Sequence, residues 1–160
     1  MSKRIALFVT AFAVVASIAL AGENAWINPN KCAMCKAITQ TPGLMESINH
    51  EQLPISDGIV CVTTVDDGQL QAYRQAHAKM KEVVTRLEKG EALDLCGSCT
   101  ALGQIMGKGV KQNFAETRHG DVWILTSNTP AVATELQAWA KRNTEEMTKV
   151  KSTSEKSAKM

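Results

Sequence analysis

The sequence predicts a small α+β domain in which two related helix–hairpin–helix halves form one small sheet of about four strands, with helices packed on it. Three observations lead to this fold class. The motif Cys-x-x-Cys occurs at Cys32 and again at Cys96, each motif is followed by a β-branched run that a glycine introduces, and each run precedes an amphipathic helical pattern. Two copies of one unit can bury their apolar faces against each other.

The first residues of the chain have the order of an export signal. Lys3 and Arg4 precede an apolar run from Ile5 to Leu20, and the small-residue pattern Ala19-Leu20-Ala21 ends it. This run is shorter than the roughly 20 residues that span a bilayer, although an uncleaved anchor is the alternative. We therefore expect a cleaved signal peptide over residues 1–21, a periplasmic or extracellular protein, and no stable membrane span after cleavage.

Composition bounds the size and the partners of the mature chain. Removing 21 residues from 160 leaves 139, which suits one domain. The 18 basic and 16 acidic residues become 16 of each once Lys3 and Arg4 are removed, so nothing favours nucleic-acid binding. We expect a single α+β domain over residues 22–148. A Lys/Ser-rich tail without apolar anchors, residues 149–160, is expected to be disordered.

The two halves match each other at two neighbouring offsets. From Cys32 onward, a shift of 64 gives five identities in 12 positions, and from Gly58 onward, a shift of 62 gives seven in 23. The change of offset falls between Gly43 and Gly58, where a turn can absorb two residues. These matches predict repeats over about residues 28–89 and 92–148.

Each copy is expected to start with a short helix at its Cys-x-x-Cys motif. Asn30 and Asp94 stand two residues before the first cysteine of their motifs, and both residue types are favoured N-caps. The amides and the dipole of a first helical turn favour a thiolate and lower the cysteine pKa. Such a thiolate suits metal ligation and thiol exchange equally.

The strands are predicted from β-branched runs. Residues 59–65 and 122–126 have this composition, and a glycine precedes each run. Because a sheet of only two strands is marginally stable, we expect additional strands over residues 47–53 and 110–116, each forming a hairpin with the strand that follows.

A long amphipathic helix is expected after each hairpin. Apolar residues from Leu70 to Leu87 recur every three or four positions until Gly90. In the second copy Pro130 suits a first helical turn, and one side of the helix carries Val132, Leu136, Trp139 and Asn143.

The four cysteines of the two motifs are the predicted metal ligands: Cys32, Cys35, Cys96 and Cys99. If a pseudo-twofold axis relates the halves, the motifs can face each other and present four thiolates, as in closed zinc sites. Copper is the other candidate, because sulfur ligands select copper(I). The sequence thus predicts an exported protein that binds zinc or copper, with no catalytic residue and with a partner protein left open.

Two alternative functions remain. The run Cys32-Ala-Met-Cys35-Lys36 resembles a thioredoxin active site, and Thr129-Pro130 resembles the proline that faces that site. This resemblance is confined to those residues and implies a thiol–disulfide oxidoreductase. The other alternative is a disulfide-stapled interaction module without catalytic activity, since exported cysteines commonly form structural disulfides.

A secondary site is suggested by Cys61 and His77. In the alignment of the halves these residues match Trp123 and Trp139. If the strand and the helix of one copy touch, Cys61 and His77 form a pair with Met80 one turn away, which suits a metal ion or a nucleophile and its base. The alternative is that all three residues only fill the core.

Overall fold

The computed structural model describes residues 25–157, with side chains up to residue 149. The predicted signal peptide, residues 1–21, lies outside this range. The helices are α1 (Ala33–Thr39), α2 (Leu44–Ser47), α3 (Leu70–Glu88), α4 (Gly97–Met106) and α5 (Pro130–Ser157), and a short 3₁₀ helix, Asp67–Gln69, precedes α3. The strands are β1 (Ile48–Ile55), β2 (Gly58–Val65), β3 (Lys111–Thr117) and β4 (Gly120–Thr126).

The four strands form one antiparallel sheet in the order β1-β2-β4-β3. The α+β class and the four-stranded sheet are therefore confirmed. Side chains of β2 alternate because successive residues of a strand point to opposite faces: Ile59, Cys61 and Thr63 are buried towards the helices, whereas Val60 and Val62 are half-buried on the other face.

The strand pairings share the offset found in the sequence. Asn49 pairs with Thr64 in the first hairpin, and Lys111 pairs with Thr126 in the second, so both numbers increase by 62. In the central β2–β4 pair, Cys61 lies opposite Trp123, again 62 residues later. Cys61 and Trp123 therefore form the middle pair of the β2–β4 pairing.

Each long helix contacts strands of both hairpins. From α3, the Tyr73 hydroxyl bonds Asp121 in β4, and the His77 ring lies 5.8 Å from the ring of Phe114 in β3. In the opposite direction α5 packs on β1 and β2, and Gln137 Nε2 donates to the Ile55 carbonyl oxygen at 2.7 Å. Each long helix also shares a core cluster with its own hairpin, α3 through Tyr73 with Val65 of β2 and α5 through Leu136 with Leu125 of β4, so both helices bridge the two hairpins.

The core consists of two clusters between the sheet and the helices. The first comprises Ile59, Cys61, Ile105, Leu125, Val132, Leu136, Trp139 and Ala140. The second comprises Ala37, Leu44, Val65, Tyr73 and Ala76. Both short helices that begin at a Cys-x-x-Cys motif contribute to these clusters, α1 through Ala37 and α4 through Ile105, so packing against the core holds both helices.

The last helix is longer than the sequence indicates. It reaches Ser157 and so includes most of the segment that the sequence predicts to be a disordered tail. Within residues 25–157, no helix is both long enough and apolar enough to cross a membrane.

Candidate metal centre

The two Cys-x-x-Cys motifs form the first turns of α1 and α4. Cys32 and Cys96 have extended backbone conformations and are themselves the N-cap residues, without a side-chain cap hydrogen bond. The prediction that Asn30 and Asp94 cap these helices is wrong. The Cys32 N–H bonds the Asn28 carbonyl at 3.0 Å and the Ala33 N–H bonds the Asp94 carbonyl at 2.8 Å, so a turn and an extended segment occupy the positions before the helices.

The four motif cysteines converge on one point. Their Sγ atoms all lie within 4.8 Å of one another, and Cys32 Sγ is 3.6 Å from Cys99 Sγ. A tetrahedral zinc ion with Zn–S bonds of about 2.3 Å holds its sulfur ligands about 3.8 Å apart. The cluster therefore has the size of a four-thiolate metal site, and the predicted convergence of the two motifs is confirmed.

None of the five cysteines, all of which lie in the described range, is in a disulfide. The 3.6 Å separation of Cys32 and Cys99 is well beyond a sulfur–sulfur bond of about 2.05 Å. The sulfur atoms are thus close enough to share an ion while each remains a separate ligand.

Burial and pKa divide the cluster into two kinds of cysteine. The N-cap cysteines are almost fully buried, with 1% of Cys32 and 2% of Cys96 exposed, whereas Cys35 and Cys99 are partly exposed. A hydrogen bond from Cys35 lowers the pKa of Cys32 to about 6, and bonds from the other three thiols, Cys32 foremost, hold the pKa of Cys96 far below its ordinary value. These two positions favour thiolates.

The partly exposed cysteines, Cys35 and Cys99, have raised rather than lowered pKa values. Hydrogen bonding with Cys32 is the largest cause that raises the pKa of Cys35 and of Cys99 above the ordinary thiol value. An ion bound in the cluster therefore has to displace protons from Cys35 and Cys99.

The secondary candidates lie in different surroundings. Cys61 belongs to the first core cluster, where burial raises its pKa to about 11, and Met80 packs against the second. The His77 ring lies 4.6 Å from the Tyr73 ring, and its Nε2 is 3.6 Å from Asp121 Oδ2. The described contacts of His77 are with Tyr73, Phe114 and Asp121 and do not include Cys61.

Sequence reasoning missed two polar residues beside the cluster, Ser98 and Asn143. Both are buried, and the Ser98 hydroxyl donates to Asn143 Oδ1 at 2.8 Å. The signal for Asn143 was its place on the apolar side of its helix, where a polar residue indicates a buried hydrogen bond. Ser98 gave no separate signal, because it lies inside the second motif.

Comparisons of the chain with protein-family models, with curated proteins and with solved structures return no match.

Proposed function

We propose that this protein is an exported metal-binding protein whose Cys32, Cys35, Cys96 and Cys99 hold one ion, with zinc as the first candidate and copper(I) as the alternative. The observation that carries this proposal is the convergence of the four Sγ atoms within 4.8 Å. The residue order Lys3, Arg4, then an apolar run ending at Ala21 supports export.

Zinc is favoured by the number and the arrangement of the ligands. Four thiolates from two motifs close a tetrahedral site, which leaves no coordination position for a substrate and suits a structural rather than a catalytic ion. The ion would connect the start of α1 to the start of α4. Copper(I) shares the preference for sulfur, so the ligand set alone also accommodates it.

Thiol–disulfide exchange is less well supported by the same cysteines. An exchanger requires an accessible thiol with a depressed pKa. In this cluster the two properties are separated: Cys32, with a pKa of about 6, is 1% exposed, while the partly exposed Cys35 has a raised pKa. A buried thiolate and an exposed thiol suit a ligand set better than a nucleophile.

We also propose that the two halves derive from one helix–hairpin–helix unit. The common offset of 62 in the pairing of Asn49 with Thr64 and of Lys111 with Thr126 supports this origin. A twofold relation between the halves explains why two motifs 64 residues apart meet at one place.

The test is a joint measurement of metal and thiols on the mature protein purified from the oxidising compartment. About one zinc or copper ion per chain, with four thiols that become reactive only after chelation, is the expected result. Cys35→Ser and Cys99→Ser should lower the metal content, whereas the control Cys61→Ala should retain it. Metal-free protein that also takes up neither ion after anaerobic reduction would overturn the proposal.

A further inference from the structure

Ser98, between the two cysteines of the second motif, is held by two distant segments of the chain, the residues before α1 and the helix α5. Its N–H donates to the Trp26 carbonyl at 2.8 Å, and its hydroxyl donates to Asn143 Oδ1 at 2.8 Å. Its own carbonyl accepts a bond from Trp139 Nε1 at 3.0 Å. Every polar group of this residue thus has a partner at least 41 residues away in the sequence.

Asn143 connects these contacts. Its Oδ1 accepts a second hydrogen bond, from Trp26 Nε1 at 2.7 Å, so both lone pairs of the amide oxygen are used. The Arg142 guanidinium lies over the Trp26 ring, 3.8 Å from the ring centre. Asn143 is itself only 8% exposed, which makes these hydrogen bonds costly to lose.

The first motif has no equivalent arrangement among the described residues. Met34 occupies the position that matches Ser98, and its thioether carries no hydrogen-bond donor. The start of α1 is held by backbone bonds, from Cys32 N–H to the Asn28 carbonyl and from Ala33 N–H to the Asp94 carbonyl. Backbone bonds hold the start of α4 as well, from Gly97 N–H to the Ala25 carbonyl at 3.3 Å, so the second motif differs by its additional side-chain bonds to α5.

We propose that Ser98 and Asn143 are positioning residues that make Cys96 and Cys99 the preorganised half of the metal site. The Cys32–Cys35 turn then supplies the adaptable half. This inference rests on the proposed function. Hydrogen bonds around the ligands of a metal fix ligand orientation, and their loss typically weakens metal affinity by about 10–100-fold. A pair that is already oriented also has less conformational freedom to lose when the ion binds.

The test measures zinc affinity of the reduced protein by competition with a chelator. We expect Ser98→Ala and Asn143→Ala to weaken zinc binding by about 10-fold or more, with the larger effect for Asn143→Ala, which also leaves Trp26 Nε1 unpaired. Thr144→Ala is the matched control, since the Thr144 hydroxyl donates to the Ala140 carbonyl of its own helix. Met34→Ala should likewise change affinity by less than about threefold.

A spectroscopic readout separates positioning from a merely structural role. Cobalt(II) bound by four thiolates reports ligand geometry through its absorption, and we expect Ser98→Ala and Asn143→Ala to alter that spectrum while Thr144→Ala leaves it unchanged. A structural role would lower the stability of the metal-free protein but leave the affinity of the folded fraction and the cobalt spectrum unchanged. Trp26→Phe, which removes the Nε1–H donor and keeps an aromatic ring at this position, provides a milder variant if Asn143→Ala fails to fold.

Two different results overturn the inference. If the wild-type protein binds zinc and Ser98→Ala, Asn143→Ala and Trp26→Phe bind it with the wild-type affinity and cobalt spectrum, the positioning role is wrong and the proposed function stands. If the reduced wild-type protein takes up neither zinc nor cobalt, the proposed zinc site fails as well.

Discussion

The Tyr73 hydroxyl donates a 2.7 Å hydrogen bond to Asp121 Oδ2 and thereby joins α3 to β4. Both residues are 4% exposed. The residue of the first half that matches Asp121 is Ile59, so this bond has no equivalent there. A buried carboxylate requires such a partner, and the bond therefore holds α3 over the second hairpin.

The first prediction concerns this bond. Tyr73→Phe should lower the free energy of unfolding by about 1–3 kcal/mol, because it leaves a buried carboxylate with one partner fewer. Denaturant unfolding at neutral pH measures the effect. Arg74→Ala, which removes an exposed ion pair with Glu116, should cost less than about 1 kcal/mol. Equal stability of Tyr73→Phe and wild type would contradict the prediction.

The second prediction concerns pH. Burial lowers the pKa of His77, and Lys81 lowers it further, against the opposing effects of Asp121 and Glu116. The unfolded chain then binds the proton more readily than the folded one, so stability falls as the pH drops through about 6.5 and below. His77→Gln should make the free energy of unfolding less dependent on pH between pH 7 and pH 5. A variant with the wild-type pH dependence would rule out His77 as the cause.

The third prediction concerns protons released by the metal. Because the pKa values of Cys35 and Cys99 are raised, both thiols carry protons in the metal-free protein near neutral pH. Zinc binding should release about two protons and should strengthen as the pH rises. Titration with zinc in a weakly buffered solution measures the release. An affinity that is independent of pH between 6 and 8 would be incompatible with these thiols as ligands.

The fourth prediction concerns stabilisation by the ion. An ion that binds only the folded chain stabilises it by mass action, by about 2.7 kcal/mol at a free concentration 100 times the Kd. A chelator should therefore lower the Tm of the loaded protein, and Cys96→Ser should abolish this shift. Cys61→Ala should retain the shift even if its own Tm is lower, since Cys61 lies in the core cluster away from the four ligands.

The fifth prediction concerns the glycines that open β2 and β4. A Cβ at Gly58 would collide with the carbonyl oxygen of Leu125, and one at Gly120 with the carbonyl oxygen of Thr63. Gly58→Ala and Gly120→Ala should each destabilise the fold by more than about 2 kcal/mol. Gly103→Ala is the control: its Cβ would meet nothing within 4 Å, and it should stabilise α4 by about 0.5–1 kcal/mol.

The local elements and the meeting of the two motifs could be predicted from the sequence. The β-branched runs placed β2 and β4 within two residues of Gly58–Val65 and Gly120–Thr126, because side-chain propensities and turn glycines act over a few residues. The marginal stability of a two-stranded sheet placed β1 and β3 within two residues of Ile48–Ile55 and Lys111–Thr117. The recurrence of Cys32–Cys35 at Cys96–Cys99 predicted one four-cysteine cluster.

Only the tertiary structure decided which strand residues each long helix contacts. The alignment of the halves suggested a pair of Cys61 and His77 if their strand and helix touch, but His77 contacts Asp121 of β4 and Phe114 of β3. The sequence also did not predict that Cys32 and Cys96 are N-cap residues, or that Ser98 bonds Asn143. Periodicity specifies which side of an element is apolar, whereas the surface that the side covers depends on packing between segments far apart in the chain.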